Sequence, residues 1–386
     1  MRYITADQIF SGKKFLPTTT VLVLDDRNKI SDIIPLDRIE KNKIEHFKGV
    51  ITPGFINSHC HLELSHLKNV IKQHTGIVDF GLSVMKHRQD LAIEIQIEAM
   101  KNADKEMQEQ GIVAVGDISN TINSLKVKQD SNLYYHTFIE LIALNPERAE
   151  VVFNEGKKLL SDFTSVNLQA SLAAHAPYSA SLELIKKITD DCFEINQPTS
   201  IHNQESKAEN EFFQTKSGDY LRLYEAINVP IHYFKATGNT SLRSIGASLQ
   251  KDIKTLLVHN TFSQKEDLEL LQKIHSNLFW CLCPNANLYI ENTLPNIALM
   301  QSYGCSLTIG TDSLASNSKL SIIDEINTVQ KHQPNILLET LLQAATHNGA
   351  KFLGIDHQFG LIEKNKTCGI NLIEGKIGYY SVKKLA

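Results

Sequence analysis

Residues 51–65 read ITPGFINSHCHLELS. An apolar run containing Pro53 and Gly54 leads into two histidines, His59 and His61, separated by one residue. In an extended strand, side chains at i and i+2 point to the same face, so one strand end offers two imidazoles to one point in space. Taken alone, the pair also fits two unrelated polar residues in a loop. Seven further apolar runs follow, most of them ending in polar residues: IVAVGD (112–117), LYYHTFIEL (133–141), VNLQASLAAH (166–175), PTSIH (198–202), TLLVH (255–259), LFWCLC (278–283) and CSLTIGTD (305–312). Amphipathic stretches at 91–110, 181–196, 264–275 and 320–332 separate several of them. Strands alternating with helices imply βαβ units and a parallel sheet. With VITPGFI (50–56) the runs number eight, the count of a closed barrel. The interval 206–254 is too long for one crossover helix and reads as an elaborated loop over the barrel mouth.

Both ends of the chain have a different texture. Short β segments at Thr20–Leu24 and Ile30–Ile34, and the glycine-punctuated runs GLI, GINLIEG and GYYSV after about residue 355, suit one small β domain shared by the termini. The expected fold is therefore α/β, a distorted (β/α)8 TIM barrel over 53–354. The expected small β-sandwich domain is built from 1–52 and 355–386.

Composition bounds the function. The 386 residues are 42% hydrophobic and 21% charged, which excludes a disordered chain, a collagen-like fibre or a disulfide mini-protein. Thirty-nine basic against forty-three acidic residues give a net charge of −4, without the basic stripe of a nucleic-acid binder. Six cysteines are scattered with no CxxC pair, which predicts reduced thiols in a cytoplasm. No signal peptide and no membrane helix are expected. Fifteen histidines against one tryptophan is the unusual ratio, and histidine is the commonest metal ligand.

Placement matters more than that count, because barrel enzymes keep their chemistry at the C-terminal strand ends. His202 ends the fifth run and Glu205 follows in SIHNQESKAE. A metal ligand beside an unligated carboxylate is what a hydrolytic site needs, although Glu205 also suits the first turn of a helix. Asp312 ends the eighth run in LTIGTDSLASN, as a metal ligand and proton acceptor or as a helix cap. His175 (AAHAPYSAS) and His259 (LLVHNTFS) end the fourth and sixth runs. Each alone suits a structural histidine, but five consistent strand-end placements argue for a site. The segment Cys281-Leu282-Cys283-Pro284 does not match the zinc-deaminase motif of the cytidine type and reads as buried strand.

With PGFINSHCH, HAPYS, HNQE, VHN and TDS in this order, the chain resembles the amidohydrolase superfamily over nearly its whole length. It looks most like the branch of adenosine-like aminohydrolases and triazine chlorohydrolases. The resemblance implies a mononuclear site in which His59, His61, His202 and Asp312 hold one divalent ion, most often zinc and in some members iron. It further implies that Glu205 protonates the ring nitrogen and the departing amine, and that Asp312 takes a proton from the attacking water. His259 would orient that water, and His175 would contact substrate beside the leaving group. Barrel enzymes of this branch are often homodimers.

The implied reaction is hydrolytic deamination of a small heterocycle, a purine or adenosine-like compound. His61-Leu62-Glu63-Leu64-Ser65 and the Gly76, Asp79, Phe80, Leu82 stretch echo a subgroup associated with 6-aminodeoxyfutalosine. Glu63 is a candidate for a sugar hydroxyl, or a carboxylate on the loop beyond the strand. Arg148 and Arg88 are candidates for a substrate carboxylate, since guanidinium pairs with it bidentately. Alternatives are a chlorohydrolase using the same residues and a non-catalytic scaffold. The scaffold is disfavoured because all four ligands are retained.

Overall fold

A computed structural model describes residues 1–386. Four strands open the chain: β1 (Arg2–Ile9), β2 (Thr20–Leu24), β3 (Ile30–Pro35) and β4 (Ile44–Pro53). Eight strands with intervening helices follow. They are β5 (Phe55–Cys60), β6 (Ile112–Ser119), β7 (Tyr134–Leu141), β8 (Gln169–Ala174), β9 (Thr199–Asn203), β10 (Thr255–His259), β11 (Leu278–Leu282) and β12 (Ser306–Ile309). Two more, β13 (Ile370–Lys376) and β14 (Tyr379–Lys384), close the chain.

The eight central strands are the eight runs of the sequence. They form two four-stranded parallel sheets, β5-β6-β7-β8 and β12-β11-β10-β9. The halves meet at two seams. Cys60 bridges to Asp312, and the His202 N–H donates to the His175 carbonyl at 2.9 Å. Gly310 makes the first seam feasible: a Cβ there would lie 2.7 Å from His59 Cβ and 2.8 Å from its carbonyl oxygen. Asn57 then clasps Thr311 from the opposite strand, donating to its hydroxyl at 2.8 Å and accepting from its N–H at 3.1 Å. Both seams join residues that line the barrel mouth, so closing the barrel also brings the site together.

Period-2 alternation sorts the strand residues. On β7, Phe138 packs into the barrel interior while Tyr135, Ile139 and Leu141 pack toward the helices. Burial pushes the imidazole of His136 down to about 3, so this interior histidine is neutral and bonded to Ser171 Oγ at 2.8 Å. Phe352, Leu353, Ile355 and Phe359 fill the N-terminal end of the barrel. The amphipathic stretches form helices Ile93–Glu109, Leu182–Glu194, Lys265–Ile274 and Ile322–His332 on the outside.

The chain ends meet in one six-stranded sheet, ordered β14-β13-β4-β1-β2-β3. Its apolar face, with Ile4, Leu22, Ile51 and Leu372, closes over its own cluster. The interval 206–254 is more ordered than a loop. It holds helices Lys207–Thr215, Tyr220–Ala226 and Ser241–Ile245, whose Phe212, Tyr220 and Tyr224 pack on Tyr178 beside the mouth. All six cysteines are free, and no helix is long and apolar enough to cross a membrane.

Candidate active site

At the C-terminal end of the barrel, a register irregularity between Asn57 and Cys60 bends β5. His61 Nε2 lies 3.1 Å from His59 Nε2 and 3.1 Å from His202 Nε2. Asp312 Oδ1 lies 3.5 Å from His59 Nε2 and 3.4 Å from His61 Nε2. A tetrahedron with metal–ligand bonds of about 2.0–2.1 Å has edges of about 3.3 Å, so these four donors are spaced as ligands of a single ion. His202 Nδ1 donates to the His175 carbonyl at 2.7 Å, which leaves its Nε2 lone pair facing the cluster. Burial first, then the neighbouring rings, hold the His202 imidazole well below its ordinary range, and burial and His59 lower that of His61. Imidazoles aimed at one point, beside a carboxylate, fit a divalent cation.

The chain reaches this geometry through unusual backbone. Gln204 (φ 46°), His259 (φ 74°), Asn260 (φ 56°) and Asp312 (φ 55°) are all left-handed without being glycine. Alternation on β10 sends Leu256 and Val258 inward and would send His259 outward, and the left-handed turn breaks that phase. Asn260 secures the turn, donating to the Leu257 carbonyl at 2.7 Å and accepting from Asn203 Nδ2 at 3.0 Å. Ser316 Oγ holds the outer oxygen of Asp312.

Glu205 and His259 stand beside the cluster with Glu205 Oε1 and His259 Nε2 3.5 Å apart. Burial, followed by the carboxylates of Asp312, Glu209 and Glu291, pushes the Glu205 carboxyl well above its ordinary range, which favours its protonated form. The carboxyl of Glu209 accepts the backbone N–H groups of Gln204 (3.0 Å) and Glu205 (3.2 Å), which fixes the turn that presents Glu205. Burial lowers the His259 imidazole to about 4, and its Nδ1 pairs with Asn287 Oδ1 at 3.2 Å.

A cavity of ≈ 500 Å³ opens over these groups. His61, His175, His202, Glu205, His259 and Asp312 line its floor. Leu64, Phe80, Val84 and Leu144 form an apolar wall, and Tyr178, Tyr220, Tyr224 and Tyr233 an aromatic one. Arg88 and Arg148 also line it. A polar hollow of ≈ 600 Å³ sits at the opposite end of the barrel, around Gln169, Lys254 and His357, away from every strand-end group above.

Of the expected site residues, the structure does not bring Glu63 to the cavity wall. Its carboxyl accepts the Asn120 N–H (3.1 Å), the Thr121 hydroxyl (2.8 Å) and the Ser124 hydroxyl (3.4 Å), holding the loop after β6 instead of facing a ligand. Asp79 likewise pairs with Arg222 at 2.5 Å on the surface. Sequence reasoning missed Glu140, which lines the cavity together with Asn120. Alternation puts Glu140 on the same face as Phe138 in LYYHTFIEL, but the run stays apolar beyond it, so nothing in the sequence marks it as a strand end.

Behind β5 lies a buried ion pair, Lys128 Nζ to Asp117 Oδ2 at 2.6 Å, both side chains 0% exposed. Asp117 Oδ1 accepts the N–H of Leu62, next to His61, at 2.8 Å. Lys128→Met is expected to strand the Asp117 carboxylate and cost about 3–5 kcal/mol, read as a lowered denaturation midpoint. An unchanged midpoint would mean that the pair does not hold this strand end.

A sequence profile described as the amidohydrolase family matches residues 50–385. The chain is 29% identical over 339 residues to an adenosine deaminase of Helicobacter pylori, covering 86% of this chain and 80% of that protein. It is 25% identical over 394 residues to an aminodeoxyfutalosine deaminase of Nitratiruptor sp., covering 97% and 93%. A crystal structure of Helicobacter pylori aminofutalosine deaminase with methylthio-coformycin superposes with a TM-score of 0.80 at 25% identity, covering 97% of this chain and 93% of the other. The zinc complex of atrazine chlorohydrolase from Arthrobacter aurescens shares the fold, with a TM-score of 0.74 at 15% identity, covering 96% and 86%.

Proposed function

The chain belongs to the amidohydrolase family, and on that premise we propose that it hydrolytically deaminates an adenosine-like nucleoside. The observation that carries this reading is the buried Glu205 carboxyl, 3.5 Å from His259, standing beside four donors spaced for one ion. Those donors, His59, His61, His202 and Asp312, are the proposed ligands, and zinc is the ion proposed for three imidazoles and one carboxylate. When bound, a divalent ion brings the pKa of water to about 7 and supplies a nucleophile at neutral pH.

The protein groups divide the remaining work. Asp312, its outer oxygen held by Ser316, takes a proton from the attacking water. His259, neutral and anchored by Asn287, orients that water and stabilises the tetrahedral centre. Glu205 delivers its proton to the ring nitrogen, recovers one from the hydroxyl newly added to carbon and gives it to the departing amine, which leaves poorly unless protonated; the proton held by Asp312 then returns Glu205 to its starting state. The apolar and aromatic walls exclude water and seat the heterocycle and its substituent.

The finer substrate proposed is 6-aminodeoxyfutalosine. Its support is the aminodeoxyfutalosine deaminase of Nitratiruptor sp. and the two guanidinium groups on the cavity wall, suited to a carboxylate on the far end of the substrate. Arg148→Ala is expected to raise KM for carboxylate-bearing substrates roughly 10–100-fold, the worth of one charge-assisted hydrogen bond, and to spare adenosine. Equal effects on both substrates would remove Arg148 from recognition. The activity itself is tested by measuring ammonia release from 6-aminodeoxyfutalosine, adenosine derivatives and guanine. Chloride release from triazines without ammonia from any of these would overturn the reading.

A further inference from the structure

We propose that Glu140 and His175 form the receiving site for the departing amine, a corner of the cavity that accepts N–H donors and so selects an amine over a halide or alkoxide as leaving group. This rests on the deaminase reading above and extends it to a residue outside the site inferred from the sequence.

The corner is built from acceptors. The Glu140 side chain is 4% exposed. Its Oε2 accepts from Asn120 Nδ2 at 2.9 Å, whereas its Oε1 has no hydrogen-bond partner. A buried, unpaired carboxylate oxygen is costly, and its place on the cavity wall directs it to a ligand. The proton on His202 Nδ1, 3.6 Å from Glu140 Oε1, is taken by the His175 carbonyl. His175 supplies the second acceptor. Ser179 Oγ donates to the Ala176 carbonyl at 3.2 Å and therefore accepts from His175 Nδ1 at 2.6 Å, an assignment made from this hydrogen-bond network. A ring that donates through Nδ1 in this way presents Nε2 as its acceptor. Oxygen and nitrogen atoms of Glu140, His175 and His202 lie within 4.8 Å of one another.

The reaction breaks the exocyclic C–N bond to the amino group and forms a C–O bond at the same ring carbon. The electron pair of the C–N bond leaves with nitrogen. Of the two protons of water, one ends on the ring nitrogen and the other on the leaving group, giving ammonia. Ammonia can satisfy two facing acceptors with N–H bonds. Chloride and an ether oxygen, which only accept, would meet lone pair against lone pair.

The test compares substrates that share one ring and differ only at the leaving group: 6-amino, 6-chloro and 6-methoxy purine nucleosides. Glu140→Gln keeps the size of the side chain and turns one acceptor into a donor. The expected result is a roughly 10–100-fold fall in kcat/KM for the amine, with the chloro and methoxy rates held or raised. Glu140→Asp, which keeps an acceptor, is expected to recover part of the amine preference. Metal-free protein, titrated calorimetrically, should bind the 6-amino ligand more tightly than the 6-methoxy one, and E140Q should lose that margin. Equal losses on all three substrates would overturn the proposal. So would a second bound ion per chain that disappears in E140Q, because Glu140 and His175 would then be metal ligands. If wild-type protein releases no ammonia from any amine, the deaminase reading itself falls, and that result is distinct from either of these.

Discussion

Replacing Glu205 by glutamine is expected to leave the bound ion in place and lower kcat by about 10²–10⁴-fold, the usual worth of a positioned general acid. The geometry separates the two effects. Glu205 lies outside the four converging donors, and its contact is with His259 at 3.5 Å, so the substitution removes a proton and leaves the ligands intact. Metal content and the thermal transition should match wild type while turnover collapses. The pH profile adds a signed expectation. Because burial and nearby carboxylates raise the Glu205 pKa, the active protonated form persists above the ordinary carboxylate range, and kcat/KM falls as pH rises through that raised pKa. E205Q should lose this alkaline limb in its residual activity. Full activity in E205Q would remove Glu205 from the chemistry.

The second large effect is loss of the ion. Chelation, or His202→Ala, is expected to abolish turnover and to lower stability as well. An ion held at a thousandfold excess over its Kd stabilises the fold by about 4 kcal/mol. Added zinc should restore both properties in the chelated wild type and neither in the variant. His202 is the decisive position because its Nε2 faces His61 while its Nδ1 is tied to the His175 carbonyl across a barrel seam. A chelated protein with wild-type turnover would show that the four donors serve only structure.

Much of this architecture was legible in the sequence because the barrel is a local pattern repeated. Each strand is an apolar run bounded by polar residues, and each outer helix has its own amphipathic period. The strand-end histidines followed from the same pattern, since a parallel barrel puts all eight C-terminal ends on one face. What was not legible depends on contacts between distant segments. Glu63 sits two residues from His61, yet its carboxyl is spent on Asn120, Thr121 and Ser124, about sixty residues away in sequence. Glu140 was hidden for the opposite reason: its run continues apolar through Leu141, Ile142 and Ala143, so the strand end was not marked by a histidine or a turn. The order within 206–254 also escaped, because its short helices are stabilised by packing Phe212, Tyr220 and Tyr224 against Tyr178 from another strand end.

The inward turn of His259 shows the limit most sharply. Simple alternation on β10 places it on the wrong face, and only its left-handed backbone brings it beside Glu205. No period-2 rule anticipates that break. Strain of this kind is tolerated because Asn260, Asn203 and Asn287 fix the turn and the ring by hydrogen bonds.

The central claim, metal-dependent deamination at this barrel mouth, is tested most directly by one assay. Protein stripped of metal is reloaded with one equivalent of zinc and given a 6-amino nucleoside, and ammonia is measured against time. No ammonia is expected from the stripped protein, stoichiometric ammonia after reloading, and release about 10²–10⁴-fold slower from E205Q carrying the same ion. Ammonia release that does not depend on the ion, or a fully loaded protein that releases none from any 6-amino nucleoside, would contradict that claim.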